Sequence, residues 1–305
     1  MSDAPCSCCA SCGKAEIDDF KLMPCDGCDL VRYCDEACQE LHRPEHAGKC
    51  RKRAAELHDK LLFKQPESSH MGDCPICSIP LSLDISKSNM YNCCSKFICD
   101  GCRYANAMRE FEASLQSSCP FCRSVLPDTQ EERDQQLMKR VEMNDPVAMR
   151  QEGGLQEKKG NYASAFEYFT KAAKLGDAQA HYRLAGMYHD GEGVEMDKEK
   201  YTRHLEEAAI GGHPNARYNL GCEEQENGNI ARAVKHWIIA ATQGDDNAMK
   251  NLLIAFKQGV TEKDVLAATL RAQKAAVDAT KSPQRKAAED FFRMKRLLQN
   301  QNSLT

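Results

Sequence analysis

The sequence predicts a mainly α protein, with two small zinc fingers followed by an α-helical repeat solenoid. Three observations carry that expectation. Of the 18 cysteines, all but Cys222 lie between Cys6 and Cys122, in two clusters of paired donors. From Asp145 the chain aligns with itself in units of 32, 36 and 32 residues, each able to hold one helix pair. A period of that length is the signature of stacked helical repeats. At 305 residues the chain also exceeds what one core usually takes, so domains in series are expected.

Charge and the N-terminus limit the function classes. Forty-one Lys and Arg against 45 Asp and Glu leave a formal charge of -4. No global positive field exists to attract nucleic acid. The opening MSDAPCSCCASC has no basic stretch followed by an apolar one, and no run of about 18 apolar residues occurs, so neither secretion nor membrane insertion is expected. The reading is an intracellular protein, of cytoplasm, nucleus or both. In that reducing setting disulfides are rare and metal sites common, which makes the clustered thiols zinc ligands.

The first cluster offers four donor pairs in order: Cys9 and Cys12, Cys25 and Cys28, Cys34 and Cys38, then His46 and Cys50. A C-x2-C turn brings two thiolates to one tetrahedral ion, and the later x3 spacings put both donors on one helical face. Eight donors fit two closed sites. The order, with Tyr33-Cys34-x3-Cys38-Gln39 and the seven-residue gap to His46, resembles the MYND-type zinc finger over about 42 residues. The resemblance implies interleaved binding, with Cys9, Cys12, Cys34 and Cys38 on one zinc and Cys25, Cys28, His46 and Cys50 on the other. It also implies a shallow groove for a proline-containing peptide. Cys6 and Cys8 are left over and read as spare, exposed thiols, and His42 as a packing ring rather than a ligand. The basic run Lys49, Arg51, Lys52 and Arg53 continues into AAELHDKLLFK and reads as a solvated helix face.

The second cluster has CPIC at Cys74 to Cys77, NCCSKFICDGC, and CPFCR ending at Arg123. This spacing resembles a RING-type finger in an all-cysteine variant, because the usual central histidine is absent. The resemblance implies a cross-brace, with Cys74, Cys77, Cys99 and Cys102 on one zinc and Cys93, Cys94, Cys119 and Cys122 on the other. Cys93 and Cys94 are adjacent, so either both ligate through a strained backbone or one is a bystander. About four zinc ions per chain follow from the two fingers together. The resemblance further places Ile76, Pro120 and Arg123 on a surface for a ubiquitin-conjugating enzyme. The segment YANAMREFEASL has helical spacing.

In the C-terminal half, each unit holds a helix, a Gly-containing turn, and a second helix ending in A-A before Gly176, Gly212 or Gly244. The Ala-x-x-x-Leu-Ala/Gly pattern and the GEGVEMDKEK loop resemble Sel1-like repeats, relatives of tetratricopeptide repeats. Ala148, Ala180, Ala216 and Ala248 are expected where helices approach closely, Tyr182, Tyr188, Tyr218 and Trp237 as core, and Cys222 as a small buried hydrophobe. The expected organisation is a MYND-type finger over 1–52, a helical linker over 53–70, a RING-like finger over 71–127, a linker helix over 128–144, repeats over 145–281, and a helix and tail over 282–305.

Two functions fit. The first is a multivalent protein-interaction adaptor whose repeats hold a further partner; the second is a RING-type ubiquitin ligase using the repeats to select substrate. A RING supplies no nucleophile and acts by positioning. A methyltransferase is excluded because helical repeats consume the region where its β domain would sit. No G-x-x-x-x-G-K-[ST], G-x-S-x-G or H-E-x-x-H motif points to a hydrolase.

Overall fold

The computed structural model describes residues 8–17 and 20–302, so Cys6 lies outside the described residues. The chain divides into two compact units between Lys64 and Gln65. The architecture is mainly α, as expected from the repeat pattern.

In the first unit β1 (Met23–Pro24) and β2 (Arg32–Tyr33) pair antiparallel, with Met23 opposite Tyr33. They lead into α1 (Glu36–Leu62). Asp35 caps that helix by accepting the Cys38 N–H at 2.8 Å, which orients the first turn and Cys38 with it. Pro44 inside the helix forgoes one backbone hydrogen bond. The helix runs past residue 52 without a break because RKRAAELHDKLL contains neither Gly nor Pro. Arg53 forms a forked pair with Asp29 at 2.6 and 2.7 Å, so the basic run is a solvated, partly paired helix face. The buried cluster here is Cys9, Leu22, Cys25, Cys28 and Tyr33. Three of those five are candidate ligands, too little apolar burial to hold a segment of this size without a metal.

The second unit begins with residues 65–71, which are not helical and lie along the repeats. The His70 N–H donates to the Gly212 carbonyl at 3.0 Å, and the His70 ring stacks on His213 at 4.1 Å. What the sequence suggests as a helical spacer is therefore helical only to Leu62, and its remainder docks by stacking and backbone pairing. Next come β3 (Ser88–Tyr91) and β4 (Lys96–Cys99), antiparallel with Ser88 opposite Cys99, then α2 (Asp100–Glu112). The following helix, α3 (Gln130–Glu142), starts with a capping box between Thr129 and Glu132.

The repeats are the helix pairs α4 (Pro146–Lys158) and α5 (Tyr162–Lys174), α6 (Ala178–Asp190) and α7 (Lys198–Ile210), α8 (Pro214–Glu226) and α9 (Ile230–Thr242). A fourth pair, α10 (Asp246–Lys257) and α11 (Lys263–Ala279), precedes α12 (Pro283–Asn302). Each repeat junction is built alike. Gly176, Gly212 and Gly244 have φ of 87°, 82° and 103°, a left-handed turn that stops one helix. The next residue then caps the following helix: Asp177, His213 and Asp245 accept from the N–H of Ala180, Ala216 and Ala248 at 2.7, 3.3 and 2.7 Å. These alanines and Ala148 are fully buried, as the close-approach reading requires.

Ring size and backbone clearance compensate between repeats. Phe169 and Trp237 fill equivalent places, and an added Cβ on Gly153 or Gly221 would lie 2.8 or 2.4 Å from their rings. In the middle repeat the pair is Leu205 with Ala185. Trp237 is core, as expected, whereas Tyr182, Tyr188 and Tyr218 are half-buried, and Tyr182 stacks on His213 at 4.3 Å. Cys222 is likewise half-buried rather than enclosed, its Sγ accepting from Asn251 at 3.9 Å.

Candidate metal centres

Three C-x2-C segments adopt one turn. The N–H groups of Cys9, Cys74 and Cys119 donate to the carbonyls of Lys14, Ile79 and Ser124, five residues on, at 2.8, 3.0 and 2.8 Å. Those of Gly13, Ser78 and Arg123 return to the carbonyls of Cys9, Cys74 and Cys119 at 2.9, 2.8 and 3.0 Å. The residue closing each turn has positive φ, 77° at Gly13, 52° at Ser78 and 63° at Arg123. Such a turn points both thiols to one side of the chain.

The turns, the β3–β4 hairpin, the start of α2 and the part of α1 that carries Cys38, His46 and Cys50 gather sixteen donors into four groups of four. These are Cys9, Cys12, Cys34 and Cys38; Cys25, Cys28, His46 and Cys50; Cys74, Cys77, Cys99 and Cys102; and Cys93, Cys94, Cys119 and Cys122. Within each group the ligand atoms lie within 4.8 Å of one another. Tetrahedral Zn–S bonds of about 2.3 Å put neighbouring sulfurs roughly 3.8 Å apart. The Cys25–Cys50, Cys9–Cys34, Cys77–Cys99 and Cys94–Cys119 sulfurs are separated by 3.7, 3.6, 3.8 and 3.8 Å. Cys28 Sγ lies 3.2 Å from His46 Nε2. These spacings are far beyond a disulfide bond of about 2.05 Å and match a shared ion. Cys93 and Cys94 occupy the hairpin turn and both enter the fourth group. Neither takes a left-handed backbone, because Ser95 does so at φ 54°.

The thiols compete for negative charge in a way that a cation relieves. Burial raises Cys9, but backbone N–H groups of Cys12, Cys34 and Ser11 outweigh it and hold the thiol at about 6. Cys25 is lowered in the same balance, with the Gly27 N–H the leading donor against burial. The Cys99 thiol brings Cys74 down to about 4, and Ser124 overcomes burial to hold Cys122 at about 6. Other members of these groups move the opposite way. Burial and neighbouring thiols push Cys50 and Cys94 up to about 11 and Cys102 to about 12. One thiolate forms readily, and the next meets its charge a few ångströms away. Zn²⁺ held among these donors would remove that repulsion, and burial favours the neutral form of His46 that could ligate it. Four protein donors leave no open coordination position, which is the arrangement of a structural site.

Residues around the donors brace them. His42 stays outside the tetrad, bonded through Nδ1 to the Tyr33 hydroxyl at 3.0 Å and stacked on His46 at 5.6 Å. Glu110 on α2 accepts the Ser118 N–H and hydroxyl at 3.0 and 2.6 Å, tying the helix to the last loop. Sequence reading did not single out Glu110, and its burial on α2 is visible only in three dimensions. Cys8 is half-buried and its backbone bridges to Ala15, unlike the exposed thiol expected. Among the proposed docking residues, Ile76 is 41% exposed and Arg123 is exposed, donating to Asn106 Oδ1 at 2.8 Å. Pro120 is buried beside Cys119 rather than placed on the surface; Phe121, at 43%, is the exposed apolar residue of that loop.

Residues 9–50 match the family model of the MYND finger, and residues 147–177, 178–213 and 214–245 match that of the Sel1 repeat. Over 92 residues the chain is 29% identical to chitin synthase regulatory factor 4 of Schizosaccharomyces pombe, covering 30% of this chain and 14% of that protein's length. Two solved structures are similar. The Sel1 repeat protein from Oxalobacter formigenes is 23% identical with a TM-score of 0.43, over 57% of this chain and 72% of that one. A protective antigen of uropathogenic Escherichia coli, c5321, is 20% identical with a TM-score of 0.43, over 54% and 41%. Among the described residues no helix is long and apolar enough to cross a membrane. The chain carries a zinc-binding MYND finger and three Sel1 repeats, both of them modules for protein–protein interaction.

Proposed function

We propose that the protein is a multivalent adaptor whose sixteen clustered donors hold four structural zinc ions, two in each finger, and whose binding surfaces are the MYND finger and the repeats. The observation that carries this reading is the presence of both interaction modules on one chain. Linked modules raise the effective concentration of what they hold, so modest affinities suffice. The MYND finger takes a proline-containing peptide. The repeats offer a cavity of about 450 Å³ with Tyr182, Met187 and Tyr201 in its lining and Asp190, Glu223 and Glu226 among its acidic groups. Proximity labelling in cells tests the reading with Cys25→Ser/Cys28→Ser, which dismantles the first finger, and Asp190→Lys/Glu226→Lys, which reverses exposed charge at the cavity. Each should lose a different subset of partners. Identical partner sets for both variants and the unmodified chain would contradict it.

A second reading, a RING-type ubiquitin ligase, is favoured by the exposure of Ile76, Phe121 and Arg123 around the second finger. Burial of Pro120 weakens it. Autoubiquitination with a panel of conjugating enzymes distinguishes the two. A ligase transfers ubiquitin and loses that transfer on Ile76→Ala with zinc content unchanged; an adaptor is inert with every conjugating enzyme.

A further inference from the structure

The first residues of α12 lie against the third donor group. Arg285 Nη1 donates to the carbonyls of Pro80 at 2.6 Å and Thr280 at 2.7 Å. Its Nη2 donates to the Ile79 carbonyl at 2.9 Å and faces Cys77 Sγ at 3.6 Å. Ile79 is the residue whose carbonyl closes the Cys74 turn, so one guanidinium holds both that turn and one of its thiols. The approach is close at backbone level too. A Cβ on Gly101, between Cys99 and Cys102, would lie 2.9, 3.0 and 3.1 Å from Arg285 Cγ, N and Cα. Gly101 has ordinary helical φ, so its backbone does not require glycine; the neighbouring α12 does. Further along the two helices Tyr104 packs on Phe291 at 4.9 Å, and Arg103 lies 4.2 Å over the Phe292 ring.

We propose that Arg285 guards the Cys74, Cys77, Cys99 and Cys102 zinc site, making α12 a strap that slows metal loss from the second finger. The inference rests on reading those four cysteines as ligands. Zinc bound by four thiolates carries a net charge of about −2. A guanidinium beside Cys77 offsets part of that charge, and its N–H draws electron density from the sulfur, leaving a poorer target for protons and electrophiles. The fork also holds Ile79 and Pro80, so the turn cannot open to release Cys77 without breaking several bonds at once. Lysine would keep the charge but lose the fork.

The test is zinc release from the full-length chain to a chelator, with N-ethylmaleimide alkylation of Cys77 read by peptide mass. Arg285→Ala is expected to release one zinc about 10-fold faster and to expose Cys77 in parallel, with Arg285→Lys intermediate. Gly101→Ala, which pushes α12 and Arg285 away without removing any ligand or the guanidinium, should reproduce the effect. Release from the first finger and the far-ultraviolet helical signal should match the unmodified chain in all three. Unchanged release in both Arg285→Ala and Gly101→Ala would overturn the proposal, and so would equal acceleration at every site, which marks general unfolding. An unmodified chain with no metal on Cys74, Cys77, Cys99 and Cys102 would instead overturn the ligand reading, before any variant is compared.

Discussion

The Cβ position of Gly221 on α8 lies 2.4 Å from Trp237 Nε1 on α9, so the indole fills the space that a side chain there would need. The middle repeat solves the same contact with Ala185 and Leu205. Gly221→Ala should therefore destabilise the repeats by about 1–3 kcal/mol through overpacking, although alanine is the better helix former. Combining it with Trp237→Leu, the pairing of the middle repeat, should cost less than the two single losses summed. Denaturant unfolding of the four proteins in a double-mutant cycle measures this coupling, and strict additivity would contradict the packing account.

Stability should fall in mild acid because of buried neutral histidines. Burial first, then His70 and Arg150, push His213 down to about 2, and burial first, then Arg150, pushes His70 to about 4. An unfolded histidine titrates near about 6.5. Since the folded values lie below the unfolded one, the contribution is full above about pH 6.5 and is lost as pH falls toward the folded values. Between about pH 6.5 and 5, each histidine should add a slope of up to about 1.4 kcal/mol per pH unit. His213→Asn keeps an N-cap acceptor and should remove one such slope. Unfolding free energies measured across this window check it; a profile equally steep with and without His213 would count against it.

Much of this was legible in the sequence because donor spacing and repeat period are local properties. The first-finger ligand order needs only C-x2-C turns and i, i+4 faces, and the repeat junctions need only Gly176, Gly212 and Gly244. The adjacent pair Cys93 and Cys94 was ambiguous because the feature that lets both thiols approach Cys119 and Cys122, the left-handed backbone at Ser95, belongs to a residue with no strong preference for that conformation. Pro120 was misplaced because C-P-x-C fixes the turn but not which of its residues faces solvent. Arg285 and Gly101 gave no signal, since their partners lie far away in the chain and a long-range contact leaves no periodicity.

Chelation should act differently on the fingers and on the repeats. Because the repeats hold no clustered donors, the sequence predicts that their helicity survives metal removal largely intact. The contacts of Arg285, Phe291 and Phe292 with the second finger revise that expectation for α12. Hydrogen exchange after chelation should show loss of protection in α1, α2 and α12, with α4 to α9 still protected. Retained protection in α12 without metal would show that the helix does not depend on the finger.

The central claim is tested most directly by the zinc content of the purified full-length chain. The four donor groups predict about four zinc ions per chain, falling to about two when Cys25→Ser and Cys34→Ser disable both first-finger sites. A reproducible value of about two in the unmodified chain would contradict the account, because one finger would then be folding without metal.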